Sequence, residues 1–203
     1  MVTSGLGAAG GYLAYPWLLG DRRADLASAL ARIGGRLRGR LERDTPRVSS
    51  RSLPVDPTNP DVIAYGEMLG GLKLRYLKPI EVIRPHFRIR GTVANTLPPR
   101  ELWPNIGEAL RVADELRHRL GVPLRSIISA YRSPAYNASC PGAALFSRHT
   151  HNDALDLVFD CEPEKVVAVA EALRDQGVFI GGIGRYATFT HIDTRGSSAD
   201  WEG

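Results

Sequence analysis

Ser147-Arg148-His149-Thr150-His151-Asn152-Asp153-Ala154-Leu155-Asp156-Leu157-Val158-Phe159 passes from a polar segment with two histidines into a short alternating run. From Ala154 to Phe159 the alternation has the period of a strand, so Leu155, Leu157 and Phe159 can enter a core while Asp156 faces the other way. His149 precedes the strand in a segment too polar to be core, and can fold back toward Asp156. A second alternating run, Phe189-Thr190-His191-Ile192-Asp193, places His191 and Asp193 on one face, roughly 6 to 7 Å apart along a strand. Two such strands side by side bring together two imidazoles and a carboxylate. That is the ligand set of a catalytic zinc ion that keeps a fourth position open for water, and it points to a zinc hydrolase.

Other residues compete for the same roles. Asp153 lies three positions before Asp156, a spacing that puts the two on opposite faces of a strand, so one of them serves and not both. The flanking apolar alternation favours Asp156. His151 is two residues from His149 and is an alternative ligand or a substrate contact. His86 and His118 have no acidic or cysteine partner at a ligand spacing and read as surface or core histidines. Asp193 is either a general base or the group that orients His191 through a hydrogen bond, as metal-bound imidazoles usually require.

Working outward, Leu124 to Ala130 reads as a strand that delivers Arg132 at its end. A helix starting at Trp103-Pro104-Asn105 carries Ile106, Ala109, Leu110, Ala113, Leu116 and Leu120 on one face and is stopped by Gly121 and Pro123. Pro163 opens a second helix with Val166, Val167, Ala170 and Leu173, closed by Gly177. Tyr76 to Ile83 and Phe87 to Val93 read as strands. The expected fold is α+β: a small, mainly antiparallel sheet with helices on one face and the zinc site on the sheet.

The pattern Ser147-x-His149-x-x-Asn152-x-Ala154-x-Asp156 is preceded by Ser129-Ala130-Tyr131-Arg132-Ser133-Pro134. It is followed by Gly181-Gly182-Ile183-Gly184-Arg185-Tyr186 and then by Thr190-His191-Ile192-Asp193. In this order the motifs resemble the zinc D-Ala-D-Ala metallopeptidases, a superfamily that includes endolysin peptidases and the hedgehog signalling domain. The resemblance covers roughly residues 100 to 203. It implies that His149, Asp156 and His191 hold Zn2+, that Arg132 contacts the substrate or the developing oxyanion, and that the substrate is a peptidoglycan stem peptide. Ser147, His151 and Tyr186 are further candidate substrate contacts, although Tyr186 reads equally well as an aromatic packed beside a glycine turn. Arg185 and Arg195 read first as surface charges.

Two positions depart from the family pattern. A glycine is replaced by Asn152, which tolerates a left-handed turn conformation. Three residues before the last histidine, where many relatives carry an acidic general base, this chain has Thr188, and a threonine cannot take a proton from water at neutral pH. Asp193 is the candidate substitute, and a binding module of the same fold without turnover is the alternative to a metallopeptidase.

The chain has 203 residues, 43% hydrophobic and 24% charged, enough for one good core with an appendage. Residues 1–20 are an apolar segment punctuated by glycines and Pro16, an atypical signal or anchor. Residues 21–60 form a basic amphipathic stretch and linker, with Leu26, Leu30, Ile33, Leu37 and Leu41 at near-helical spacing among arginines. Membrane association through residues 1–40 is one consequence of that charge, and a solvated helix is the other. No aromatic side chains are interleaved for base stacking, which argues against nucleic-acid binding. Residues 61–203 form the peptidase-like domain. Cys140 and Cys161 are either a disulfide of an oxidising compartment or separate thiols. A cell-wall substrate implies a periplasmic or envelope location.

Overall fold

The computed structural model describes residues 50–203. Within them two sheets are present. The smaller is a three-stranded antiparallel sheet of β1 (Ser50–Ser52), β2 (Arg88–Arg90) and β3 (Val93–Ala94), in that order. The larger has five strands: β4 (Leu124–Ser129), β5 (Ala154–Phe159), β6 (Gly182–Arg185), β7 (Thr190–Asp193) and β8 (Ala199–Glu202). Their order across the sheet is β4-β5-β7-β6-β8; the first three pairings are antiparallel, and β8 runs parallel to β6.

Two helices cover one face of this sheet. α3 (Ile106–Leu120) and α5 (Pro163–Asp175) pack against each other and against the sheet. On α3, Ile106, Ala109, Leu110, Ala113 and Leu116 are fully buried, as their spacing dictates. Gly121 ends the helix at φ +64°, a conformation that costs glycine nothing. On α5, Val166, Ala170 and Leu173 are buried, while Val167 is half-buried on its flank. Leu155, Ile192 and Ile183 stand opposite one another across β5, β7 and β6 and meet these helices in the core.

The remaining helices are α1 (Pro60–Gly71), α2 (Pro79–Ile83) and α4 (Pro134–Ser139). The side chain of Asn59 accepts hydrogen bonds from the Asp61 and Val62 N–H groups and starts α1. The α2 segment corrects the reading of Tyr76 to Ile83 as a strand. Pro79 occupies the first helical turn, and the Glu81 carboxylate accepts from the Lys78 N–H at 2.7 Å, so a local cap overrides the apolar composition. Phe87 to Val93 is shorter than expected: Gly91 at φ +59° turns β2 back into β3. Ser50–Ser52, inside the stretch that reads as a linker, pairs with β2, and β1 belongs to the same compact unit as residues 61–203.

Cys140 and Cys161 are separate thiols. No helix of the described residues is long and apolar enough to cross a membrane. The apolar segment 1–20 and the leucine-arginine stretch that follows it lie outside the described residues.

Candidate metal centre

The face of the large sheet opposite the helices carries a row of residues in register. Ser129 stands opposite Asp156, Asp156 opposite His191, His191 opposite Gly184, and Gly184 opposite Trp201. Because neighbours across a sheet share a face, this register alone brings Asp156 and His191 together. His149 arrives from the 3-10 turn Arg148–His151, which precedes β5. Asn152 closes that turn at φ +58°, ψ +37°, and its amide donates to the Leu102 carbonyl at 2.9 Å. One donor atom each from His149, Asp156 and His191 lies within 4.8 Å of the others, and all three residues are buried.

Hydrogen bonds fix which ring atoms face inward. His149 Nδ1 lies 2.6 Å from the Ala130 carbonyl, which can only accept, and this shorter contact favours the tautomer with its hydrogen on Nδ1 and a lone pair on Nε2. That Nε2 is 3.1 Å from Asp156 Oδ1. His191 faces an acceptor on each side, Asp193 Oδ2 3.1 Å from Nε2 and the same Asp156 oxygen 2.9 Å from Nδ1; with Nε2–H donating to Asp193, Nδ1 is left to ligate. In these tautomers three lone-pair atoms converge. Such a set can hold a metal ion, and two imidazole nitrogens with one carboxylate oxygen are a donor set that zinc accepts.

The charges agree with this picture. Burial pushes the His149 ring below the ordinary histidine range and keeps it neutral. Burial also disfavours the charged form of His191, but hydrogen bonds to Asp156 and Asp193 outweigh it and raise the pKa. For Asp156, burial is outweighed by the two imidazoles, and the carboxyl stays well below the usual range. Without a metal, the proton that takes its place belongs on His191.

A second layer holds these groups. Arg132 donates from Nη2 to Asp156 Oδ2 at 2.5 Å and from Nε to Ser129 Oγ at 2.7 Å. Asp193 accepts from Arg195 Nε at 2.8 Å, Arg195 Nη2 at 2.5 Å and the Gly182 N–H at 3.0 Å. Burial would raise the Asp193 pKa, yet these donors and His191 hold it well below the ordinary carboxylate range. Arg195 is therefore no ordinary surface charge, whereas Arg185 pairs with Glu202 on an exposed edge.

The other candidates fall outside the cluster. Asp153 is paired with Arg148. His151 is exposed, as is Thr188 in the turn between β6 and β7. Ser147 begins the 3-10 turn, its carbonyl accepting from Thr150 N at 3.0 Å and Oγ1 at 2.7 Å. Tyr186 stacks on Phe189 with ring centroids 4.2 Å apart, and its hydroxyl accepts from Trp201 Nε1 at 3.0 Å. His86 is buried against Tyr65 and Tyr131, and His118 lies against Tyr76; neither is part of the metal-capable group. The Ala130 carbonyl and Trp201 had no role in the sequence reading, Ser129 entered it only as part of a motif, and Arg195 entered it first as a surface charge. Of the first two, only Trp201 had a signal, an aromatic in a run that alternates like a strand.

A buried His-Asp-His set on the face of the sheet opposite the helices makes this a metal-capable α+β domain. The family model for peptidase M15 matches residues 75–193, more than half of the chain, and the chain belongs to that family of zinc D-Ala-D-Ala carboxypeptidase type. Comparison with curated proteins and with solved structures gives no match.

Proposed function

We propose that the chain is a zinc-dependent peptidase that hydrolyses peptidoglycan stem peptides, as a D,D-carboxypeptidase or endopeptidase. The observation that carries the reading is the convergence of His149 Nε2, His191 Nδ1 and Asp156 Oδ1 within one buried cluster of a peptidase M15 chain. His149, Asp156 and His191 would hold the zinc, which would supply Lewis acidity for activating water and the scissile carbonyl.

The chain's own residues prepare that chemistry. The Ala130 carbonyl and Asp193 keep the hydrogens of the two rings on their outer nitrogens, so the inner ones are free to ligate. Arg132 holds the second Asp156 oxygen with Nη2, which leaves Nη1 for a peptide carboxylate or the developing oxyanion. Asp193 acts here as the group that orients His191. Its oxygens are engaged by Arg195, His191 and the Gly182 N–H, and a carboxylate so strongly stabilised is a poor proton acceptor. That observation, with an exposed Thr188 at the family's acidic position, also favours a second reading: a zinc-containing binding module with weak or no turnover.

On the peptidase reading the partner is the wall peptide, the protein works in the periplasm or cell envelope, and no nucleic acid is involved. Digestion of purified muropeptides with zinc-loaded protein, followed by chromatography, tests it. The expected result is shortened stem peptides, with Arg132→Ala slower by an amount equivalent to about 1.5 to 3 kcal/mol. No new product after long incubation favours the binding module.

A further inference from the structure

β8 lies beyond the residues matched by the family model, yet it completes the row that holds the metal centre. The Trp201 ring lies 5.1 Å from that of His191, tilted by 54°, and the Arg195 guanidinium sits 5.2 Å from the indole. Glycines on β6 make this possible. A Cβ at Gly184 would come within 2.6 Å of the indole, and one at Gly182 within 2.9 Å of it and 2.5 Å of the Asp193 carboxylate. The indole therefore lies flat over β6, beside the zinc-ligand candidates, with its nitrogen 3.0 Å from the Tyr186 hydroxyl.

The direction of that bond has a consequence. An indole N–H can donate and cannot accept, so the Tyr186 oxygen must be the acceptor and its own hydrogen must turn away from Trp201. Tyr186 follows Gly184 by two residues and so continues on the same side as His191. Its ring is clamped by Phe189 in parallel stacking and by the chain end at Gly203. A hydroxyl whose oxygen already accepts a hydrogen bond is also a more polarised donor.

We infer that Trp201 is a positioning residue: it backs His191 and fixes the Tyr186 hydroxyl as a hydrogen-bond donor on the metal-centre face, available to the substrate. The pairing stands on the geometry alone; the identity of the substrate rests on the peptidase reading.

Zinc-loaded wild type, Trp201→Phe, Tyr186→Phe and the double variant decide it. In 15N-labelled protein, Tyr186→Phe should shift the Trp201 indole N–H resonance and speed its exchange with solvent, while all four proteins keep the same zinc content. In turnover of stem peptides each single change should lower kcat on the order of 10-fold with little change in KM, and the double variant should be no worse than Tyr186→Phe. An indole resonance indifferent to Tyr186→Phe, or losses that multiply in the double variant, overturns the assignment. A wild type inactive on every stem peptide counts against the peptidoglycan reading, and the indole resonance then decides the pairing by itself.

Discussion

At the scale of single residues, the centre is set by which nitrogen of each histidine carries its hydrogen. Asp193 governs one of them, because it receives Nε2–H of His191 while Arg195 and the Gly182 N–H hold it in place. Asp193→Asn keeps the shape but weakens that acceptor. The expected outcome is a loss of zinc affinity of about 10 to 100 fold, measured by competition with a chelator, with turnover of the fully loaded protein little changed. Intact affinity with a rate reduced by the order of 100 to 10,000 fold would instead make Asp193 the general base. His149, Asp156 and His191 were legible as types at the right spacing. Their supports were not, because a backbone carbonyl such as Ala130 has no sequence signature, and Arg195 reveals its partner only once β7 bends into the following loop.

At the scale of elements, register does the assembling. Strand alternation placed Asp156 and His191 on outward faces, and the pairing of β5 with β7 put them opposite each other. The β5 strand and the α3 and α5 helices were readable because their apolar periods run unbroken, whereas β4 shifts register twice against β5. The α2 helix was not, since Tyr76 to Ile83 is apolar enough to imitate a strand and only Pro79 with Glu81 betrays the cap. The parallel addition of β8 to β6 is a long-range pairing that no local pattern announces. Its dependence on glycine is testable: Gly184→Ala drives a methyl group into the Trp201 indole. It should cost about 1 to 3 kcal/mol in denaturant unfolding. Unchanged stability would mean that Trp201 does not lie over β6 as described.

At the scale of the whole molecule, the sheet divides a polar face that holds a cation from an apolar face that holds the fold together. His86 is buried with no hydrogen-bond partner for either ring nitrogen among the described residues, and burial lowers its pKa from 6.5 to about 4. The unfolded chain therefore takes up a proton near pH 6.5 that the folded protein refuses until about pH 4. Stability linked to this group is fully present above about pH 6.5 and declines as the pH falls to about 4, by about 3 kcal/mol in all. The difference in unfolding free energy between wild type and His86→Phe should vary across that window and be flat above it; a difference independent of pH would place His86 in contact with water. On the other face, His149, Asp156 and His191 form the metal-capable group to which the proposed function assigns zinc. Elemental analysis of purified wild type, His149→Ala and His191→Ala tests that assignment directly. About one zinc per chain in the wild type and a marked loss in both variants are expected, and equal metal content in all three proteins would contradict a zinc site at these residues.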